Sequence, residues 1–595
     1  MKIVTKKYKK DSKRSLRKSK KLKKEMKNGS KPKSKITQKN KSDGGSRSSS
    51  MASIRYVNYI FTDGNIREAV NAWCSFSERE DAEIIYGHIS QWDTSEITNM
   101  MGLFKNFSWF NDDISAWNVG NVTNMQEMFY KASAFNQPLE QWNVSKVTNM
   151  QEMFCHAFRF NQPLEQWNVG NVTNMKFMFH GASVFNQPLE QWNVGNVTNM
   201  EYMFWNASAF NQPLEGWDVG KVTNMRGMFY NARAFNQPIG QWNVGNVTNM
   251  RYMFKDAFDF NQPLEGWERE DSTVGKVTNM GHMFYNARAF NQPLEGWNVS
   301  KVTDMNNMFA YASAFNQPLE QWNVGNVTNM GHMFFSAHAF NQPLEQWNVG
   351  NVTNMSGMFQ SAYSFNQPLE QWNVGNVTNM SGMFCDASAF NQPIGQWNVG
   401  NVTNMRSMFF RAAAFNQPLA NWEREDSTVG KVTDMGHMFD GASSFNQPIW
   451  EWDVRNVTDM RYMFNRSAYT NVMPTVEGSE GRKNYYEATN NVISIGTATE
   501  TATETATGTA TATETATETA TGTETATETA TETATETATE TAKETAAEKV
   551  LYNNDTLKEI LMNLGGNRRS NTRKNRSKPK SKRTQKNKVH EKRNK

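Results

Sequence analysis

The sequence is poor in cysteine and has no long apolar run. Only three of its 595 residues are cysteine, and Cys74, Cys155 and Cys385 form no Cys-x-x-Cys pair. This count argues against a disulfide framework and is compatible with a reducing compartment. No run of 18 apolar residues occurs, so we predict no membrane span. The Lys-rich start lacks the apolar core of a secretory signal peptide.

Charge is distributed unevenly along the chain. The whole chain carries a formal net charge of +5. Residues 1–50 carry about +17 and residues 567–595 about +13, so residues 51–566 together carry about −25. Residues 30–41 and 577–588 match at 11 of 12 positions, which indicates that the two basic tails contain copies of one element.

The middle of the chain is a tandem repeat. Tryptophan recurs every 25 residues from Trp92 to Trp452, except at two steps of 30 that contain the same insert, WEREDSTVGKVT. A typical copy, residues 135–159, is FNQPLEQWNVSKVTNMQEMFCHAFR. A unit of this length cannot bury its own large apolar residues, but stacked units can cover one another.

The first half of each repeat is predicted to be a short strand. Leu139, Trp142 and Val144 have the Leu-x-x-Leu-x-Leu spacing of leucine-rich repeats, with tryptophan in the second slot. Trp142 and Val144 are two residues apart and would point to one face of a strand. Strands of successive repeats are then expected to form a parallel β-sheet.

The second half is predicted to be a short helix that follows a turn. Met150, Met153 and Phe154 have the i, i+3, i+4 spacing of one helical face, and Thr148 is a candidate N-cap. We therefore predict an α/β repeat solenoid, similar to leucine-rich repeats, with a parallel β-sheet on one side, short helices or turns on the other, and disordered tails. The residues predicted to form the core of this repeat are Trp142, Val144, Met150, Met153 and Phe154.

Composition divides the rest of the chain. Ile66, Ala69, Val70 and Trp73 have helical spacing, and 497–546 is a Thr/Ala/Glu tract without large apolar residues. The predicted organisation is a basic disordered tail at 1–50, a helical cap at 51–91, about fifteen repeats at 92–469, a cap or linker at 470–496, a low-complexity spacer at 497–546, a short helix at 547–566 and a second basic disordered tail at 567–595.

The repeat motif is W-[ND]-V-[GS]-x-V-T-[ND]-M-x-x-M-F, followed by F-N-Q-P-[LI]. It resembles the BspA-like leucine-rich repeat surface proteins, and among them the branch first described as a mycoplasma-lipoprotein repeat of unknown function. The likeness covers about residues 84–466 and implies a right-handed solenoid of the leucine-rich type. Residues 63–70 and 86–95, together with the lysine-rich tails, resemble members from large DNA viruses. The missing signal peptide then favours an intracellular or virion-associated location over secretion.

Function is expected to depend on what varies between copies. The outward strand positions Glu140, Gln141 and Asn143 hardly change, so that face is either solvated or binds a repetitive polymer. The position after Met-Phe varies and is often aromatic, which indicates either a contact surface or partial burial. The candidate interaction residues are Tyr130, His180, Trp205, Tyr230, Lys255, Tyr285, Phe335 and Phe410.

Catalytic and metal-binding patterns are scarce. His282, His332 and His437 share one repeat position, but they lie two and four repeats apart, too far for one metal ion. No phosphate-binding loop and no Ser/His/Asp arrangement is evident. We expect no enzyme activity, no cofactor and no metal.

Three functions remain open. The first is a scaffold that binds an unknown macromolecule, expected to be a protein, with a glycan as the alternative. The second is binding of nucleic acid or another polyanion through the basic tails, whose density of Lys and Arg suits phosphate backbones. The third is a surface adhesin. The tails also fit nuclear localisation or a simple solvated extension.

Overall fold

The computed structural model describes residues 59–270 and 272–471. All of these residues belong to the first of two units into which the chain divides, Met1–Thr499, whereas the second unit, Glu500–Lys595, lies outside them. The predictions for the two basic tails, the Thr/Ala/Glu spacer and the short helix after it, and almost all of the prediction for 470–496, therefore also lie outside the described residues.

Within the described residues, two helices precede the repeats. Helix α1 spans Ile66–Trp73 and helix α2 spans Arg79–Tyr86. The buried residues of α1 are the four whose spacing predicted a helix, namely Ile66, Ala69, Val70 and Trp73. Trp73 lies edge-on to the first tryptophan of the repeats, Trp92, with ring centroids 5.9 Å apart. The helices therefore cover the apolar side of the first repeat.

The remaining helices are short. Three 3₁₀ turns span Ile89–Gln91, Glu265–Trp267 and Ala420–Trp422. The last two begin the two five-residue inserts. In each insert the chain folds back through an isolated antiparallel bridge, Arg269 with Ser272 and Arg424 with Ser427.

The predicted parallel β-sheet, and with it the leucine-rich-type α/β fold, is wrong. Among the described residues, successive repeats pair through isolated parallel bridges only, such as Asn149 with Asn174, and no strand forms. The segment predicted to be a strand turns instead of extending, because the N–H of Trp142 donates to the C=O of Leu139 (3.0 Å). A second turn starts at the C=O of Val144, which accepts from the N–H three residues later. Tandem repeats remain, but without the sheet.

The predicted helix in the second half of the repeat is also wrong. Glu152 and His156 both have φ of 57°, in the left-handed region, and an α-helix cannot pass through such residues. The same two positions have positive φ in the other repeats as well, for example at Tyr202 and Asn206. Met-x-x-Met-Phe is therefore a chain of turns. This geometry keeps Met150, Met153 and Phe154 on the buried side, as a helix would.

The backbone N–H groups of these turns donate to two kinds of acceptor. The N–H of Met153 donates within its own repeat, to the C=O three residues earlier (3.2 Å). The N–H of Glu152 donates instead to the C=O of Lys176 in the next repeat (2.9 Å). Phe154 donates likewise to Met178 (2.9 Å). Alternate residues thus close the turn and join the repeats, which satisfies the backbone without a sheet or a helix.

The core is a set of columns that run from repeat to repeat. The phenylalanine of Met-Phe forms one column from Phe104 to Phe464, with neighbouring ring centroids 5.4–5.9 Å apart. The phenylalanine of Phe-Asn-Gln-Pro forms a second column, in which Tyr469 takes the last place. The five residues proposed as the core of the typical repeat are all buried: Trp142, Val144, Met150, Met153 and Phe154.

The asparagine of Phe-Asn-Gln-Pro forms a polar column beside the core. The side-chain oxygen of Asn316 accepts from the N–H of Asn341 (2.9 Å) and from the side-chain amide of Gln342 (3.1 Å). The same pair of bonds recurs along the repeats, so one side chain serves two donors of the next copy. Hydrogen bonds between repeats therefore explain why Asn and Gln recur in each copy, and no ligand is needed to explain it.

Replacing this asparagine should destabilise the protein measurably. We expect Asn316→Ala to lower the free energy of unfolding by about 1–3 kcal/mol, because the partly buried N–H of Asn341 loses its acceptor and the side-chain amide of Gln342 keeps only its bond to the C=O of residue 316 (3.1 Å). The measurement is urea unfolding followed by tryptophan fluorescence. Asn323→Ala is the matched control, since its side chain accepts only from the N–H of Gly325 in an exposed turn (3.2 Å). Equal effects of the two substitutions would contradict the role assigned to the Asn-Gln column.

Candidate functional site

The candidate interaction residues lie in one row on the side of the repeats that the Met-x-x-Met-Phe turns form. Seven of the eight are half-buried and Phe335 is buried, so the row is neither free surface nor core. Each follows the Met-Phe of its repeat, and the members from His180 to Tyr285 contact one another across the repeat boundaries. We call these eight candidate residues the variable row.

Aromatic rings stack in the first part of the variable row. The His180 ring lies parallel to the Trp205 ring at 4.1 Å between centroids, with 3° between the planes. Trp205 stacks in turn on Tyr230 at 5.3 Å and 8°. A parallel column of Phe177 and Tyr202 lies beside it at 5.1 Å. These contacts join three repeats in one aromatic surface that is partly open to solvent.

A lysine follows the stacked rings. The Lys255 ammonium lies 5.1 Å from the Tyr230 ring centroid and 4.6 Å from that of Tyr285. Both distances are within the range of cation–π attraction. Burial lowers the pKa of Lys255 from its ordinary value. Burial likewise raises the pKa of Tyr285.

The ends of the row contact other variable positions. The Tyr130 ring lies 4.7 Å from the Lys105 ammonium. Phe335 packs edge-on against Tyr311 at 4.7 Å. Phe410 is 6.2 Å from His437, a residue of the next repeat. Every residue of the row therefore touches a neighbour that itself changes from repeat to repeat.

The uniform positions lie on a different side and are exposed. Glu140, Gln141 and Asn143 all face solvent. The side chain of Asn143 accepts the N–H of Ser145 (3.2 Å), so it stabilises its own turn. This use explains why the position stays Asn or Asp without any role in binding.

A family model matches most of the repeats. Five overlapping matches to the family described as "Mycoplasma protein of unknown function, DUF285" cover residues 74–192, 173–274, 270–368, 342–429 and 425–474. The chain belongs to this family. A search of curated proteins returned no match. Within residues 59–270 and 272–471 of this DUF285 chain, no helix is long and apolar enough to cross a membrane.

In the described part of this DUF285 protein, the three histidines at one repeat position, His282, His332 and His437, do not converge on a common metal site. Burial holds the pKa of His332 down to about 4 and that of His282 well below its usual range. His437 instead contacts Asp440 in its own repeat, at 3.0 Å between Nδ1 and Oδ2. Where the structure describes the chain, these three residues do not form a shared group of ligands.

A different set of side chains does come together. Cys155, His156 and His180 place one ligand-type atom each within 4.8 Å of one another. Burial raises the pKa of the Cys155 thiol, and it lowers the pKa of His156 to about 4 and that of His180 well below its usual range. Sequence reasoning selected His180 as a variable position but did not join it to Cys155 or His156. The signal was available in the 25-residue period, which places Cys155 and His180 at the same position of adjacent repeats.

Proposed function

We propose that this DUF285 protein is a non-enzymatic scaffold that binds another macromolecule, a protein or a glycan, through the variable row. One observation carries the proposal. The repeat-invariant residues are used in packing and turns, whereas the row from His180 to Tyr285 is half-buried, aromatic or cationic, and varies between copies. Tryptophan and tyrosine are among the residue types that dominate the binding energy of interfaces.

We also propose that the chain is related to a wider group of repeat proteins. A link to BspA-like proteins, and to their relatives in large DNA viruses, is supported by the repeat motif and by residues 63–70 and 86–95. No strand-based binding face is part of this proposal. The contact surface lies on the turn side, and its stacked rings are held by the bonds between repeats.

Photo-crosslinking from the row tests the proposal. We expect full-length protein with benzoylphenylalanine in place of Tyr230 to form a discrete adduct in host-cell extract. The same group in place of Glu215, an exposed residue on the uniform side, should form none. Unlabelled wild-type chain should compete for the adduct. A competitor chain with Trp205→Ala and Tyr230→Ala should need an at least about 30-fold higher concentration to suppress the adduct equally. That ratio corresponds to about 2 kcal/mol of binding free energy.

A matched competitor separates specific from general loss. Trp450→Ala also removes a large aromatic side chain, which is 50% exposed and lies outside the variable row. It should compete as well as wild type. Adducts of equal yield from positions 215 and 230, or equal competition by all three chains, would remove the support for binding through the row.

A second function is favoured by the charge of the tails. Residues 1–50 and 567–595 carry about +17 and +13, against about −25 for the chain between them. We propose that these segments bind nucleic acid or another polyanion independently of the variable row. Such binding is dominated by the release of counterions from phosphates, so salt concentration distinguishes it from aromatic contact.

A further inference from the structure

We propose that Cys155, His156 and His180 form a binding site for a soft or borderline metal ion, with Zn²⁺ as the ion that fits best. In the described part of the chain, 59–270 and 272–471, this is the group whose thiol and imidazole atoms converge, within 4.8 Å of one another. The site shares His180 with the variable row, whereas His156 lies outside that row.

The distances suit a zinc ion after a small adjustment. Zinc lies about 2.3 Å from a thiolate sulfur and about 2.0–2.1 Å from an imidazole nitrogen, so ligand atoms of a tetrahedral site are roughly 3.3–3.6 Å apart. The Cys155 sulfur and the His180 Nδ1 are already 3.4 Å apart. The His156 and His180 ring centroids are 4.5 Å apart. A rotation of the His156 side chain would complete a three-ligand site with a water in the fourth place.

The backbone places the three residues without help from a metal. The N–H of His156 donates to the C=O of His180 at 2.6 Å, as part of the bonds that join the repeats. Trp205 stacks on the other side of the His180 ring and fixes its plane. The side chains of the pair are therefore held beside each other by the repeat stack, which reduces the entropy lost when an ion binds.

A glycine provides the space for His156. Gly181 has φ of +70°, and a Cβ at that position would lie 2.7 Å from the His156 Nδ1. Most other repeats carry a larger residue there, for example Asn206 or Asp256. The small residue thus occurs where the imidazole of the preceding repeat needs room.

The donor set selects the ion. A thiolate with two imidazoles suits Zn²⁺ or Cu⁺ and disfavours Mg²⁺ and Ca²⁺, which require oxygen ligands. Binding converts the Cys155 thiol to a thiolate, and the proton is released to solvent. The alternative is a plain S–H···N hydrogen bond between Cys155 and His180, and the test must distinguish the two.

Metal titration of the full chain tests the site. Reduced, metal-free protein is titrated with Zn²⁺ against a chromophoric chelator, and with Co²⁺ as a spectroscopic substitute. We expect one zinc per chain to bind tightly, and Cys155→Ser or His180→Gln to weaken it at least about 100-fold, since even outer-shell changes cost about 10–100-fold. Co²⁺ should give a thiolate-to-cobalt charge-transfer band that Cys155→Ser abolishes.

Cys385→Ser is the matched control. Cys385 occupies the same repeat position and is also buried, but Asp386 follows it and it belongs to no such group. This variant should keep the tight zinc and the cobalt band. Carboxylates of the acidic body bind Zn²⁺ equally in all four proteins and cancel from the comparison. Equal zinc affinity in all variants, or a wild-type chain without the cobalt band, would overturn the proposal, provided circular dichroism shows the variants folded.

Discussion

Trp322→Ala, in the middle of the repeats, should lower the free energy of unfolding by about 3–5 kcal/mol, the usual cost of removing a buried tryptophan. Trp322 is 2% exposed, and its indole N–H donates to the C=O of Leu294 in the preceding repeat at 2.8 Å. Its ring stacks on Trp347 at 6.5 Å and 1°. The substitution therefore opens a cavity and removes one of the two donors to the C=O of Leu294, which keeps the N–H of Trp297 (3.0 Å).

The measurement is again urea unfolding, with circular dichroism as the signal so that loss of one indole does not affect it. Trp450→Ala serves as control, because that side chain is 50% exposed and should change stability by no more than about 0.5 kcal/mol. Stability in a repeat array depends on contacts between neighbours, so Trp322→Ala should also loosen the two adjacent repeats. A small effect of Trp322→Ala would show that this tryptophan does not hold its repeat to the neighbouring ones.

The second large effect concerns salt. If the tails neutralise six to ten phosphates of a duplex, affinity should fall by about 10³–10⁵ between 50 and 200 mM salt. The charges of about +17 and +13 on 1–50 and 567–595 are sufficient for that number of contacts. Fluorescence anisotropy with a labelled random-sequence duplex measures the affinity at each salt concentration. The slope of log affinity against log salt concentration then gives the number of phosphates that the protein neutralises.

Two variants assign the effect to the tails. One lacks 1–50 and 567–595, and the other replaces the lysines and arginines of 30–41 and 577–588 by glutamine. The chain without tails should bind weakly, since it carries about −25 and repels the duplex. The glutamine variant loses five positive charges from 30–41 and six from 577–588, so it should bind more weakly than wild type and with a smaller salt slope. The Trp205→Ala, Tyr230→Ala chain should keep the wild-type slope. Undiminished binding after deletion of both tails would show that the repeats, not the tails, contact the polyanion.

The sequence patterns predicted which residues are buried more successfully than they predicted the backbone conformation. Trp142, Val144 and Phe154 were selected because they recur with the repeat, and burial follows from recurrence whatever the backbone does. The i, i+3, i+4 spacing of Met150, Met153 and Phe154 was interpreted as a helix. A chain of turns that alternates left- and right-handed residues satisfies the same spacing, so periodicity could not separate the two.

A compositional signal did favour turns. The two positions with positive φ often carry Gly, Asn, Asp or Ser, as at Gly227, Asn231, Gly382 and Asp386. These residue types tolerate the left-handed region best. A helix would have no reason to place them at fixed positions in copy after copy. The strand prediction failed similarly, because Asn143 holds a turn directly after Trp142 and prevents a longer extended segment.

The candidate site was predicted in part. The 25-residue period was enough to choose Trp205 and Tyr230 as variable neighbours, and it implied that equivalent positions would lie together. It could not show how deeply they are buried. It also gave no reason to pair His156 with His180, because that pair depends on a hydrogen bond between residues 24 apart that the backbone turns alone determine.

The bonds between repeats have a direction, and this affects association of the molecule with itself. The N–H of Glu152 donates forward to Lys176, whereas the indole N–H of Trp167 donates backward to Leu139. The two faces of a repeat are therefore complementary to each other. Unlike ends of two molecules could join heterologously into an open polymer. By covering the first repeat, α1 and α2 remove one of the two faces that such a polymer would require.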